Sequence, residues 1–272
     1  LDLPSEMHQG TLTVEKRNDR KYEIELRDVS FRYPGSEVWA LRHVNLSFRI
    51  GERLAVVGEN GSGKTTFIKL LCRLYDPTEG EIRLNGIDIR KYRYDEYLAL
   101  FSVVFQDFQL LAFPLGQNVA ASAHFDAARA TACLEEAGFG ERLRAWKQGL
   151  NTALHRDFDP EGVEVSGGEA QKIALARALY KDAPFIVLDE PTAALDPVAE
   201  AEVYENFNKI VGDKTAVFIS HRLSSCRFCD EIAVFDQGQV VQKGAHDALV
   251  RQEGGKYREL WQAQAQYYAN ET

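Results

Sequence analysis

Gly58-Glu59-Asn60-Gly61-Ser62-Gly63-Lys64-Thr65 carries the most specific chemistry in this chain. It fits G-x-x-x-x-G-K-[ST], the spacing of a loop that wraps phosphate groups. Before it, the apolar run Leu54-Ala55-Val56-Val57 reads as a buried strand; after it, Phe67, Leu70, Leu71 and Leu74 recur at helical spacing. Gly58, Gly61 and Gly63 permit backbone angles closed to other residues and carry no Cβ, so successive N–H groups can converge on an anion at a helix N-terminus. Lys64 adds a point charge for outer phosphates, and Thr65 a hydroxyl of the kind that ligates Mg²⁺. A glycine-rich turn that matched by chance would have no reason to sit between such a strand and such a helix.

Composition narrows the surroundings. A chain of 272 residues buries a substantial core as one large domain or two small ones. Its formal charge of -9 argues against a nucleic-acid footprint spread over the surface, and no nucleic-acid partner is expected. No apolar run approaches the length that spans a bilayer. Residues 1–20 lack the basic start, apolar middle and small-residue cleavage site of a signal peptide, and read as a polar linker. Because Leu1 is not methionine, we expect a piece of a longer chain or a processed product. Cys226 and Cys229 have C-x-x-C spacing, but no second pair or histidine cluster completes a zinc site, so reduced, mostly buried thiols are expected.

Along the chain, alternation from Tyr22 through Ile24, Leu26, Val29 and Phe31 predicts a strand ending at Tyr33-Pro34-Gly35. Val44, Leu46 and Phe48 predict a second, antiparallel to the first because a short turn separates them. Ile82, Leu84, Ile87 and Ile89 alternate around Asn85-Gly86, a hairpin signal. Ser102-Val103-Val104-Phe105 predicts a strand that ends at Gln106, a possible neutral oxygen ligand for Mg²⁺ or simply a solvated amide. From Phe113 to about Val165 no strand signal occurs: Ala120–Phe139 reads as one alanine-rich helix stopped by Gly138 and Gly140, and Arg142–Leu150 as a second.

Ser166-Gly167-Gly168-Glu169 then opens a helix; Ser166 is a good cap and the glycines expose N–H groups, a second anion-binding start. Phe185-Ile186-Val187-Leu188 is a buried strand that runs into Asp189-Glu190. Acids at the carboxyl end of such a strand sit where open α/β sheets place ligands, and neighbouring strand residues face opposite ways. Asp189 therefore suits a water-mediated Mg²⁺ ligand and Glu190 a base or orienter for an attacking water. Pro191–Pro197 reads as a turn into a helix with Val203, Phe207, Ile210 and Val211 on its apolar face. Thr215–Ser220 is a strand ending at His221, a candidate phosphate contact; a hairpin around Gly238 and a helical tail from about Tyr257 to Tyr268 follow.

This series of glycine loop, strand-end glutamine, helical insertion, S-G-G-E, strand-end acids, A-L-D turn and strand-end histidine resembles the ATP-binding domain of ATP-binding cassette (ABC) transporters, of exporter type, over nearly the whole chain from Tyr22. The resemblance implies an α/β fold: a P-loop NTPase core of mainly parallel sheet flanked by helices, an antiparallel β subdomain before it, and a helical subdomain inserted at about 107–166. It implies domains at 1–20, a linker from a membrane-spanning part, and 21–272, the ATP-binding domain.

By the same resemblance Tyr33 stacks on adenine, and Gly58 through Thr66 hold the phosphates of ATP. Gln106 meets Mg²⁺ and faces the membrane-spanning partner. Ser166, Gly167 and Gly168 form the family signature, and Asp196 lies in a loop that crosses a dimer interface. Asp189 is the metal-side acid, Glu190 the catalytic base, and His221 the contact to the γ-phosphate. Two such domains, identical or related, are expected to pack head to tail around two Mg-ATP at the cytoplasmic face of a membrane. The departures are Val165 for leucine, Glu169 for glutamine, and an unusually acidic Asp157–Glu164. Rival readings are the separate ATPase subunit of an importer and a soluble ABC-family ATPase; the latter would show a second cassette or a coiled-coil insertion, and a binding module with a dead site would lack Glu190 or His221.

Overall fold

The computed structural model describes residues 10–14, 22–49, 51–190, 215–220 and 223–270. They fall into two compact units, one drawn from Leu1–Phe101 and Asp213–Thr272, the other from Ser102–Gly212.

In the first unit, β1 (Glu23–Phe31) pairs antiparallel with β2 (Leu41–Arg49) on one side and with β4 (Glu79–Leu84) on the other, and β4 continues to β5 (Ile87–Asp88). Leu26 stands opposite both Leu46 and Ile82, so the apolar phase of three strands lands on one buried face. Asn85 and Gly86 both take positive φ, 52° and 79°, as the two-residue hairpin turn requires. The alternation ends sooner than the sequence suggests: Ile89 belongs to a 3₁₀ turn, Ile89–Lys91, whose start is capped by Asp88.

The same unit holds β3 (Arg53–Val57), flanked by two parallel neighbours, β8 (Thr215–Ile219) and β9 (Glu231–Asp236), with β10 (Gln239–Gly244) antiparallel to β9. Covered on both faces, β3 is a continuous apolar run rather than an alternating one. It feeds α1 (Lys64–Leu71), whose Phe67 packs against Phe235 of β9. Leu74 does not extend the buried stripe of α1: the helix caps at Cys72, and Leu74 is 41% exposed. Part of the stretch read as linker is docked. Leu12 forms a parallel bridge to Tyr92, and Val14 N donates to Glu96 Oε2 on α2 (Tyr94–Ala99) at 2.7 Å.

The second unit contains most of β6 (Phe101–Val104), its neighbour β7 (Phe185–Asp189), and the helices α3 (Leu115–Ala120), α4 (Ala127–Glu136), α5 (Gly140–Ala145) and α6 (Gly167–Lys181). The single alanine-rich helix expected over Ala120–Phe139 is broken. Ala121 turns left-handed at φ 51°, and Asp126 caps a fresh helix by accepting a hydrogen bond from Arg129 N. Alanine's helix propensity hid that stop, since alanine is seldom found in the left-handed region. Isolated bridges Pro114–Ala153 and Leu154–Val163 also give this segment extended pairing that its sequence pattern lacks. Among the described residues, no helix is long and apolar enough to cross a membrane.

Candidate functional site

The glycine loop between β3 and α1 is shaped by contact on both sides. A Cβ on Gly58 would stand 2.2 Å from Phe235 O and 2.6 Å from Ser62 Oγ; one on Gly63 (φ 105°) would stand 2.6 Å from Leu41 Cδ2. Gly238, in the β9–β10 turn, donates its N–H to Ser62 O at 3.0 Å and accepts from Arg42 N at 2.8 Å, so the turn braces the loop. Lys64, nearly buried, donates through Nζ to Gly58 O and Glu59 O at 2.8 and 2.9 Å. Ser62 Oγ is buried with no hydrogen-bond partner among the described residues. An unused hydroxyl inside a cradle of N–H groups fits a phosphate oxygen.

Around this loop stand two side chains of different standing. Tyr33, a predicted site residue, is half-buried, with its hydroxyl 3.0 Å from Thr66 Oγ1 and its ring edge-to-face with Phe31 and Tyr75. Lys256 was not legible as part of the site: its Nζ lies 2.7 Å from Glu59 Oε1, and this bond and charge hold the Glu59 carboxyl below its usual range. Asn60 and Gly61 are exposed at the loop tip, and Thr65 presents an exposed hydroxyl on the first turn of α1.

In the second unit, Ser166 caps α6 as its sequence predicts. Ser166 Oγ accepts from Glu169 N at 3.3 Å while Glu169 Oε2 accepts from Ser166 N at 2.8 Å, a reciprocal capping box. Ser166 and Gly167 are exposed, which leaves the helix start open to an anion.

Gly167 also lines a cavity of about 330 Å³ with Gln106, His155, Gln171, Asp189 and Glu190. Asp189 ends β7 only 2% exposed. Glu190 departs from the expected strand alternation: its φ of 53° is left-handed, so its direction is set by a turn and not by the pleat. A non-glycine residue held there stores strain of the kind that marks functional positions. Gln171 Nε2 donates to Glu190 O at 3.4 Å, while the buried Gln171 Oε1 has no partner among the described residues. His155 Nδ1 lies 3.1 Å from Glu164 Oε2 at the same cavity. Gln171 and His155 escaped the sequence reading because nothing local distinguishes them from helix and loop residues elsewhere.

Thr65 in the first unit, and Gln106 and Asp189 in the second, each carry an oxygen donor of the kind that a hard cation such as Mg²⁺ takes, so the chemistry of these donors fits the metal. Asp196 and His221, also predicted for the site, lie outside the described residues. Cys226 is buried, and burial pushes the Cys229 thiol up to about 12, which keeps it protonated and unreactive at neutral pH.

The profile of a family described as ABC transporter matches residues 41–193, more than half the chain. Over 266 residues the chain is 40% identical to an ATP-dependent lipid A-core flippase of Alkalilimnicola ehrlichii, covering 97% of this chain and 44% of that protein. It is 40% identical over 236 residues to a subtilin transport ATP-binding protein of Bacillus subtilis, covering 85% of this chain and 38% of that one. Its fold matches a bacterial Atm1-family ABC exporter solved with ATP bound, with a TM-score of 0.84 and 31% identity over 97% of this chain and 44% of the other. The chain thus spans less than half the length of these relatives.

Proposed function

This chain belongs to the ABC transporter family as an ATPase domain, and from that premise we propose that it drives export across a membrane, working as one of two such domains packed head to tail around two Mg-ATP. The observation that carries the proposal is a cavity that Gln106, Asp189 and Glu190 line together. A buried acid and a strained neighbouring acid at one cavity suit water attack on a phosphate better than a passive binding role.

Each residue has a physical task in this reading. The N–H groups of Gly58 to Thr66 wrap the phosphates, Lys64 exchanges its carbonyl contacts for the β and γ oxygens, and Tyr33 stacks on the adenine. Mg²⁺, when bound, neutralises charge on the β and γ phosphates. Thr65, Asp189 and Gln106 would hold it. The Glu190 carboxylate orients a water for in-line attack on the γ-phosphorus and accepts its proton; the bond to the bridging oxygen breaks, and ADP carries that electron pair away. His221 would touch the γ-phosphate, and Ser166, Gly167 and Gly168 would grip it from the partner domain, with Asp196 in the loop that crosses between them. Gln106 would report this state to a membrane-spanning partner, placing the domain at the cytoplasmic face.

Glu190→Gln tests the assignment directly. We expect ATP binding to persist within about threefold while turnover falls at least ~100-fold, the scale of a lost catalytic group; normal turnover in that variant would remove Glu190 from the mechanism. Lys64→Ala should instead weaken nucleotide binding itself.

A further inference from the structure

The start of α6 poses an electrostatic problem that the capping box does not solve. A carboxylate at the third helical position suits the helix, because it lies near the positive end of the dipole and accepts the Ser166 N–H. It is unsuited to an incoming triphosphate, since Glu169 places a negative charge within the same turn that offers N–H groups to phosphate. The structure supplies a counter-charge from another helix. Arg142 of α5 donates through Nε to Glu169 Oε1 at 2.8 Å, so both carboxylate oxygens are engaged.

Arg142 is also aimed. Its guanidinium lies 5.7 Å from the centre of the Trp146 ring, and Trp146 packs edge-on against the buried Phe139 at 5.4 Å. The side chain is therefore stacked on one aromatic while it reaches for Glu169. A half-exposed pair of this kind adds little to folding stability. Its consequence lies in the local field.

We propose that Arg142 is a positioning residue for nucleotide at the Ser166–Gly168 turn, cancelling the Glu169 charge so that a helix start bearing a carboxylate still accepts a triphosphate. This rests on the reading that the turn receives ATP. Glu169 keeps the turn's shape, and Arg142 keeps its charge acceptable; the two side chains divide what a neutral amide at that position would do alone.

The test is a four-way comparison of ATP hydrolysis by the native-length protein: unsubstituted, Arg142→Ala, Glu169→Gln, and both together. Arg142→Ala should raise the KM for ATP roughly three- to tenfold, from one uncompensated charge near the phosphates, with kcat within about twofold. The rise should shrink at high salt as screening shortens to a few ångströms. Glu169→Gln keeps an oxygen for Ser166 N and leaves the Arg142 charge uncompensated, so its KM should match the unsubstituted value or fall below it. The double variant should recover it too, a rescue that a merely structural role for Arg142 would not give. Arg142→Lys, which keeps the charge, guards against misfolding of the alanine variant and should be near normal. An unchanged KM in Arg142→Ala, or a double variant no better than Arg142→Ala, overturns the inference. Gly167→Asp separates the premise: if the unsubstituted protein hydrolyses ATP and Gly167→Asp leaves KM unchanged, the turn is not a nucleotide site and the reading beneath the inference falls with it.

Discussion

The glycine loop at 58–65 and the capped turn at 166–169 both offer backbone N–H groups at a helix start, yet different forces hold them in shape. The loop is locked by steric contact, with Phe235 O and Leu41 Cδ2 where side chains at Gly58 and Gly63 would have to go. The turn is held by side chains: Ser166 and Glu169 bond to each other, and Arg142 neutralises the result. A steric lock tolerates no addition, whereas an electrostatic one can be retuned by trading partners. The loop should therefore fail abruptly under substitution and the turn by degrees.

Two glycines within the loop sharpen that contrast. Gly58 and Gly61 both take positive φ, 153° and 78°, but a Cβ on Gly61 meets nothing within 4 Å. Gly61→Ala should cost only the left-handed penalty, about 1 kcal/mol. Gly58→Ala must also displace a strand carbonyl, and should cost about 3 kcal/mol or more and abolish nucleotide binding. Chemical denaturation of the two variants side by side decides it. Equal losses would mean that conformation and not contact shapes the loop.

Strain at Glu190 gives the next largest effect, and here the second unit behaves unlike the first. Its φ of 53° should cost about 1.5 kcal/mol in any residue but glycine. Glu190→Gly should thus stabilise the fold by ~0.5–1 kcal/mol after the added freedom of the unfolded chain is subtracted, while removing turnover. Glu190→Gln should remove turnover and leave stability unchanged. If the glycine variant melts no higher than the glutamine variant, the strain is absent and the turn geometry is held without cost.

At both sites the sequence discloses the local features and not what supports them. The loop is legible because its constraint is local: three glycines, a lysine and a threonine fall within residues 58–65, between a strand and a helix. The Ser166 cap is legible for the same reason. The supports are not, because Gly238, Lys256, Arg142, Gln171 and His155 reach their targets through the folded chain and carry no local pattern that names a partner. The conformation of Glu190 has no signature at all, since a left-handed glutamate is imposed by its surroundings. The fold followed the same division. Alternating strands and the Asn85-Gly86 hairpin are written residue by residue, whereas the stop at Ala121 is a tertiary decision against alanine's own preference.

The smallest effect concerns the outer support of the glycine loop, where the last described helix, Lys256–Asn270, brings Lys256 to Glu59. The next residue, Tyr257, is fully buried and its hydroxyl lies 2.8 Å from His246 Nδ1, while Arg227 Nε approaches His246 Nε2 at 3.4 Å and Trp261 packs on the ring. Burial, and then the Arg227 charge, push the His246 pKa below the usual histidine range, with Asp247 pulling weakly the other way. Folding therefore favours the neutral ring. Its contribution is fully present above the unfolded-state pKa of about 6.5 and is lost as pH falls toward the lower folded-state pKa. Because the ring is only part-buried, the loss is small: between pH 7 and 5.5, Tm should fall by roughly 1–2 °C more than in His246→Phe. That variant keeps a ring against Trp261 and drops the titration, so its curve should be offset by the lost Tyr257 bond yet flatter. Parallel curves would show that the helix behind Lys256 is indifferent to this charge, leaving the loop's support as steric as the loop itself.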